Sequence, residues 1–193
     1  MRTTFFMNAK LRLNMLVSRA VAAGAMVVMA TAAQSHEVMP TIGQLSTSDG
    51  TVQLELRLNA EALVAGIDLD GLTDTNNSDQ SATYDELREL PPEELGQRMS
   101  EDWPVISQGL TLTTDDQPVP LALTSVEVSE IGDVELARPT RVILNGTLPE
   151  GAQTVQLHWP DGHGTIALRQ TGVENGYADY LEGGSKSAPI DIG

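Results

Sequence analysis

Three histidines, no cysteine and a large surplus of carboxylates set the chemistry open to this chain. His36 follows a run of small and apolar residues and precedes Glu37. If processing makes His36 the first residue, its α-amino nitrogen and imidazole Nδ1 chelate one Cu²⁺. If the chain instead begins at Gln34, the amine, two deprotonated amides and the His36 imidazole form a square-planar site for Cu²⁺ or Ni²⁺. Nitrogen donors suit both ions, and copper heads the affinity order. The plainer reading is a polar N-terminus that contains a histidine.

His158 and His163 form the second candidate, with Asp161 between them. Val155, Leu157 and Trp159 alternate as the inward face of a strand, which turns His158 outward. Residues 160–164 (PDGHG) make a tight connection whose ends approach, so two imidazoles and one carboxylate are available as ligands. The competing reading is a solvated turn, with Asp161 capping and Gly162 and Gly164 supplying left-handed backbone. Asp68, Asp70, Asp74, Asn76, Ser78, Asp79 and Asp85 invite a test for Ca²⁺. Counted from Asp74, oxygen ligands fall at positions 1, 3, 5 and 12. The required glycine is replaced by Asp79, however, and the last ligand is Asp85 rather than glutamate, a poor calcium loop. A solvated acidic loop is the first expectation there and Ca²⁺ the lesser one. Without cysteine, thiolate nucleophiles and cysteine-ligated zinc are excluded. Neither a Gly-x-Ser-x-Gly elbow nor His-Glu-x-x-His occurs, and a non-enzymatic role is expected.

Residues 1–19 carry Arg2, Lys10, Arg12 and Arg19 and no acid, and an apolar run of small residues continues to Ala33. This reads as a signal peptide over 1–35, cut near 33–35, and places the protein in the periplasm. The run is shorter than the roughly 20 residues a membrane span needs. Beyond this leader the chain keeps seven bases against 27 acids, a formal charge of −20. Such a field opposes nucleic acid and direct docking on anionic lipid. Arg57, Arg88, Arg138 and Arg141 are expected to organise internal ion pairs rather than clamp a ligand.

The elements that must hold these groups are short. Val52, Leu54, Leu56 and Leu58 alternate as a half-buried strand. Asn59 caps a helix over 60–65 that Gly66 stops. A second helical stretch runs over 83–90, and Pro92 begins a third, with Leu95, Met99 and Trp103 four apart and Pro104 ending or kinking it. Beyond residue 105 the period returns to two through Leu112, Leu123, Val142, Leu144, Val155, Leu157, Ile166 and Leu168, with a phase slip near Thr124-Ser125 that predicts a bulge. Tyr177, Tyr180 and Leu181 read as an edge strand, or as a lead into a following membrane segment. The expected fold is mostly β, an antiparallel, immunoglobulin-like β-sandwich over 36–182 with a helical insertion around 60–105. Residues 183–193 read as a linker-like tail.

His-Glu-Val-Met-Pro at 36–40, Leu-Arg-Glu-Leu-Pro-Pro at 87–92, Gly132-Asp133 with Leu136-Ala137-Arg138, and residues 177–184 followed by 187–190 resemble a known pattern. It is that of the extracytoplasmic N-terminal region of HupE/UreJ-like bacterial membrane proteins. The resemblance covers essentially the whole chain after the leader and implies an association with nickel or cobalt handling. Of the family pattern, His36 and then Glu37 map onto its His-Glu start. Family members continue into a membrane domain with a Gly/His/Asp-rich helix. This sequence has no later apolar stretch, so transport itself is not carried over. A truncated product or a free-standing periplasmic version is expected. The expected function is an accessory module that binds Cu²⁺ or Ni²⁺ at its N-terminal histidine; the alternative is a non-catalytic interaction module for a membrane protein partner.

Overall fold

Alternation of apolar residues produces ten strands in two sheets, seen in a computed structural model that describes residues 38–193 except 116 and 135. The expected signal peptide over 1–35, His36 and Glu37 lie outside the described residues. The larger sheet holds β1 (Thr41–Ser48), β2 (Thr51–Asn59), β5 (Ala122–Val128), β6 (Pro139–Thr147), β8 (Ile166–Gln170) and β9 (Ala178–Leu181), in the order β5-β6-β2-β1-β8-β9. The smaller holds β3 (Thr111–Thr114), β4 (Gln117–Val119), β7 (Thr154–His158) and β10 (Ile190–Asp191), in the order β10-β7-β3-β4. The protein is mostly β, with few helices.

The larger sheet is mixed rather than wholly antiparallel, because β1 runs parallel to β8, with Ile42 opposite Ala167. A parallel neighbour requires a long crossover, and most of the chain lies between these two strands. The expected bulge is present as a register shift between Leu123 and Ser125. Leu45, Leu54, Leu56, Val142, Leu144 and Leu168 from the larger sheet share one core with Leu112, Val155, Leu157 and Ile190 from the smaller. Truncating such a leucine to alanine typically removes about 2–5 kcal/mol. Two inward glycines are closely packed, Gly43 against side chains and Gly146 against backbone. A Cβ at Gly43 would meet Ile166 Cδ1 at 2.7 Å, and one at Gly146 would meet the Pro120 carbonyl oxygen at 2.9 Å.

The helices α1 (Ala60–Ala65), α2 (Ser81–Arg88) and α3 (Pro92–Ile106) are a packed layer rather than an appended flap. Leu95, Met99 and Trp103 enter the main core, as the four-residue spacing predicts. Asn59 accepts the Ala62 amide and Gly66 closes α1 with φ 73°. Pro104 neither ends nor breaks α3. The bond it denies belongs to the carbonyl of Ser100, on the exposed face of the helix, while Trp103 and Ile106 remain buried. No helix among the described residues is long and apolar enough to cross a membrane.

The linker-like reading of 183–193 is corrected. Ser187 donates its amide to the Leu157 carbonyl and accepts the Leu157 amide on its hydroxyl at 3.0 Å, and Ile190 pairs with Val155. Small and polar residues hide the strand character here, but Ser187 and Ile190 are both buried.

Candidate functional site

The β7–β8 turn carries the two later histidines but does not gather them. His158 Nδ1 lies 2.9 Å from the Gly109 carbonyl oxygen, in the loop before β3. His163 Nδ1 lies 3.1 Å from the Asp161 carbonyl, and its ring stands edge-on to Trp159 at 5.6 Å. A carbonyl acceptor fixes the proton on each Nδ1. Both rings thereby brace the turn, and Trp159 Nε1 adds a 2.9 Å bond to the Gly164 carbonyl. Among the described residues no three His, Asp or Glu side chains converge as a metal site, so the expected grouping of His158, Asp161 and His163 is not assembled there.

The acidic stretch is likewise occupied with backbone. Asp68 accepts the Asp70 amide, and Asp74 accepts the Asn76 amide as the cap of a short 3₁₀ turn over Thr75–Asn77. Asp70 spans the fold: its two oxygens accept the amides of Gly162 at 2.6 Å and Gly164 at 2.9 Å. Those glycines have φ of 77° and 65°, the left-handed backbone expected of them. Asp68, Asp70 and Asp74 therefore act as caps and a clasp.

The arginines divide into two groups. Arg138, 5% exposed, donates Nε to Glu61 Oε1 at 2.8 Å and its remaining nitrogens to the carbonyls of Leu90 and Leu87. Glu61 is fully buried. The guanidinium thus caps the carbonyl end of α2 and joins it to α1, as ion-pair organisation predicts. Arg88 is also buried and lies over the Tyr84 ring, whose hydroxyl is pushed above its ordinary value by burial.

The second group lies on the outer face of the larger sheet. Register aligns Tyr180, Ala167, Ile42, Arg57, Arg141 and Glu127 in one row across the strands. The next row runs from Ala178 through Arg169, Gln44 and Glu55. Arg141 bridges Glu55 at 2.9 Å and Glu127 at 3.3 Å. Its hydrogen bond and charge hold the Glu55 carboxyl below the ordinary carboxylate value. Arg57 and Arg169 are exposed and carry no ion pair or hydrogen bond among the described residues, which departs from the expectation for Arg57. They flank a groove of about 450 Å³ floored by Ile42, Ala167 and Ala178 and bounded by Tyr180. That volume lies within the range of about 300–1,000 Å³ of small-ligand sites. Ile42 is 37% exposed and Tyr180 70%. Tyr180 lies on the edge strand β9 with Leu181 turned inward, as the sequence predicts.

Arg169 was not singled out by sequence reasoning. Its alternation with Leu168 marks it as outward, but only the β1–β8 pairing brings it beside Ile42 and Arg57. No family model and no curated protein matches this chain.

Proposed function

We propose that this is a non-catalytic binding module of the periplasm whose working surface is the outer face of the larger sheet, an accessory to a membrane protein partner. The observation that carries the reading is a pair of exposed arginines, without ion pair or hydrogen bond among the described residues, beside exposed Ile42 and Tyr180. Elsewhere, Arg138, Arg141, Asp70, His158 and His163 are committed to contacts within the fold. An immunoglobulin-like sandwich is part of this proposal, supported by the core that both sheets share. The resemblance to HupE/UreJ-like extracytoplasmic regions and the basic, apolar leader support the compartment and the kind of partner. To test the reading, a photo-crosslinking residue is placed at Ile42, at Tyr180, or at exposed Val105 on α3, in cells producing the full chain. The first two positions should yield the same discrete membrane-protein adduct, and Val105 should not. Equal adducts from all three, or none from the sheet, refute it.

A second reading is capture of Cu²⁺ or Ni²⁺ at the N-terminus by His36 and Glu37. One observation favours it: the Val38 amide donates to the Thr73 carbonyl at 3.2 Å, tying the chain two residues after His36 to the acidic 68–79 loop. Binding needs a deprotonated amine and imidazole and weakens on mild acidification. In titrations of the processed protein with each ion, His36→Ala and one added N-terminal residue should both abolish binding. Unchanged binding in either eliminates the terminal site.

A further inference from the structure

We infer that the groove between Arg57 and Arg169 takes an extended, acidic segment of a partner polypeptide, with two carboxylates flanking one apolar side chain. The inference rests on the binding-module reading and names the chemistry of its partner. Arg57 stands opposite Ile42 on one side of β1, and Arg169 stands opposite Gln44 on the other. Strands about 4.8 Å apart with a rise of about 3.3 Å per residue set the two Cα atoms about 12 Å apart on a diagonal. In an extended chain, side chains on the same face at i and i+4 lie about 13 Å apart. Acids at those positions meet both guanidiniums, whose planar forks suit carboxylates. The side chain at i+2 then falls over β1 between Ile42 and Gln44, beside Ala167, where Ile42 offers the apolar contact.

The rest of the molecule narrows the occupant. Arg57 and Arg169 are two of only seven bases after the leader, set against 27 acids. A long polyanion or an anionic bilayer meets this repulsive field over its whole length. A short segment carrying two acids meets the groove alone. Asp179 at the margin of the groove disfavours a third acid on the β9 side.

The test is selection from a displayed library of random linear peptides on the processed protein, followed by binding measurements on the enriched sequences. The expected consensus is acid–x–apolar–x–acid. Arg57→Gln and Arg169→Gln should each weaken binding about tenfold or more, as for arginine anchors in other interfaces. Arg98→Gln, on the exposed face of α3, should leave it unchanged, and unfolding midpoints of all variants confirm the fold. Glutamine analogues of the selected peptides should fail to bind. A consensus without acids that is lost in Tyr180→Ala overturns the acidic partner but keeps the binding face. Peptides indifferent to Arg57, Arg169 and Tyr180, or no enrichment, overturn both. Self-association abolished by Arg57→Gln, or binding to anionic vesicles in place of peptide, likewise overturns the acidic segment.

Discussion

Arg138 and Arg57 are the same side chain in the same acidic protein, yet the fold uses them in opposite ways. Arg138 is enclosed, its donors directed at a fully buried carboxylate and two helix-end carbonyls. Arg57 lies exposed on an open sheet with no ion pair or hydrogen bond among the described residues, its charge only adding to the field at Glu55, one row from Arg169. In the interior pair Arg138 answers one oxygen of a carboxylate removed from water, so that losing either partner leaves the other charge stranded. The open pair shows the reverse: an exposed guanidinium remains hydrated, adds little to stability, and stays free to bind. Burial, rather than residue type, separates the cation enclosed by the fold from those left exposed on its surface.

Breaking the interior pair should produce the largest effect. Arg138→Met strands Glu61 and is expected to cost about 3–5 kcal/mol in urea unfolding, whereas replacing both partners by apolar residues of similar volume should restore most of it. A loss below about 1 kcal/mol from the single variant would show that water reaches Glu61 and that the contrast is overstated. Asp70→Asn should come next. It weakens the clasp on Gly162 and Gly164 by removing the carboxylate charge, at about 1 kcal/mol, and hydrogen exchange at those two amides should accelerate.

On the outer face a pH experiment sharpens the comparison. The Glu55 carboxyl is held below its ordinary value by Arg141, so the folded state favours its ionised form. Its contribution is present above the unfolded-state value and lost as pH falls through the folded one. Glu55→Gln should therefore lower stability modestly at neutral pH, converge with the parent protein at low pH and so flatten the acid limb of the stability profile; an unaltered acid limb contradicts the assignment. The smallest effect on stability belongs to Arg57→Gln with Arg169→Gln, whose unfolding midpoint should match that of the parent protein. A clear drop would place these arginines with Arg138 as structural groups.

Much of the scaffold was legible because local rules agreed with tertiary burial. The β2 alternation, the Asn59 cap, the Leu95–Met99–Trp103 stripe and the Thr124-Ser125 slip all follow from side-chain period and backbone chemistry. β1 was not legible. Its inward positions are Thr41, Gly43 and Leu45, while Ile42 faces outward, so its apolar pattern is nearly inverted. Ile166 from β8 fills the space above Gly43, a complement supplied by a residue more than a hundred positions away. The tail escaped notice for a related reason: β10 is two residues long and gains its order from β7. The histidine turn was located correctly, but its hydrogen-bond partner at Gly109 lies in another loop.

The sequence alone determined compositional and local features: a basic, acid-free first segment, an acidic chain without cysteine, and strands and helices set by periodicity and caps. These depend on each residue and its near neighbours, and on charge that sums regardless of fold. Which arginines are enclosed, which carboxylates clasp glycine amides, and which two bases flank Ile42 were decided only in three dimensions. Each depends on a pairing between distant strands or loops, and solvent exclusion at that pairing sets whether a charge must be satisfied within the fold or remains available to a partner.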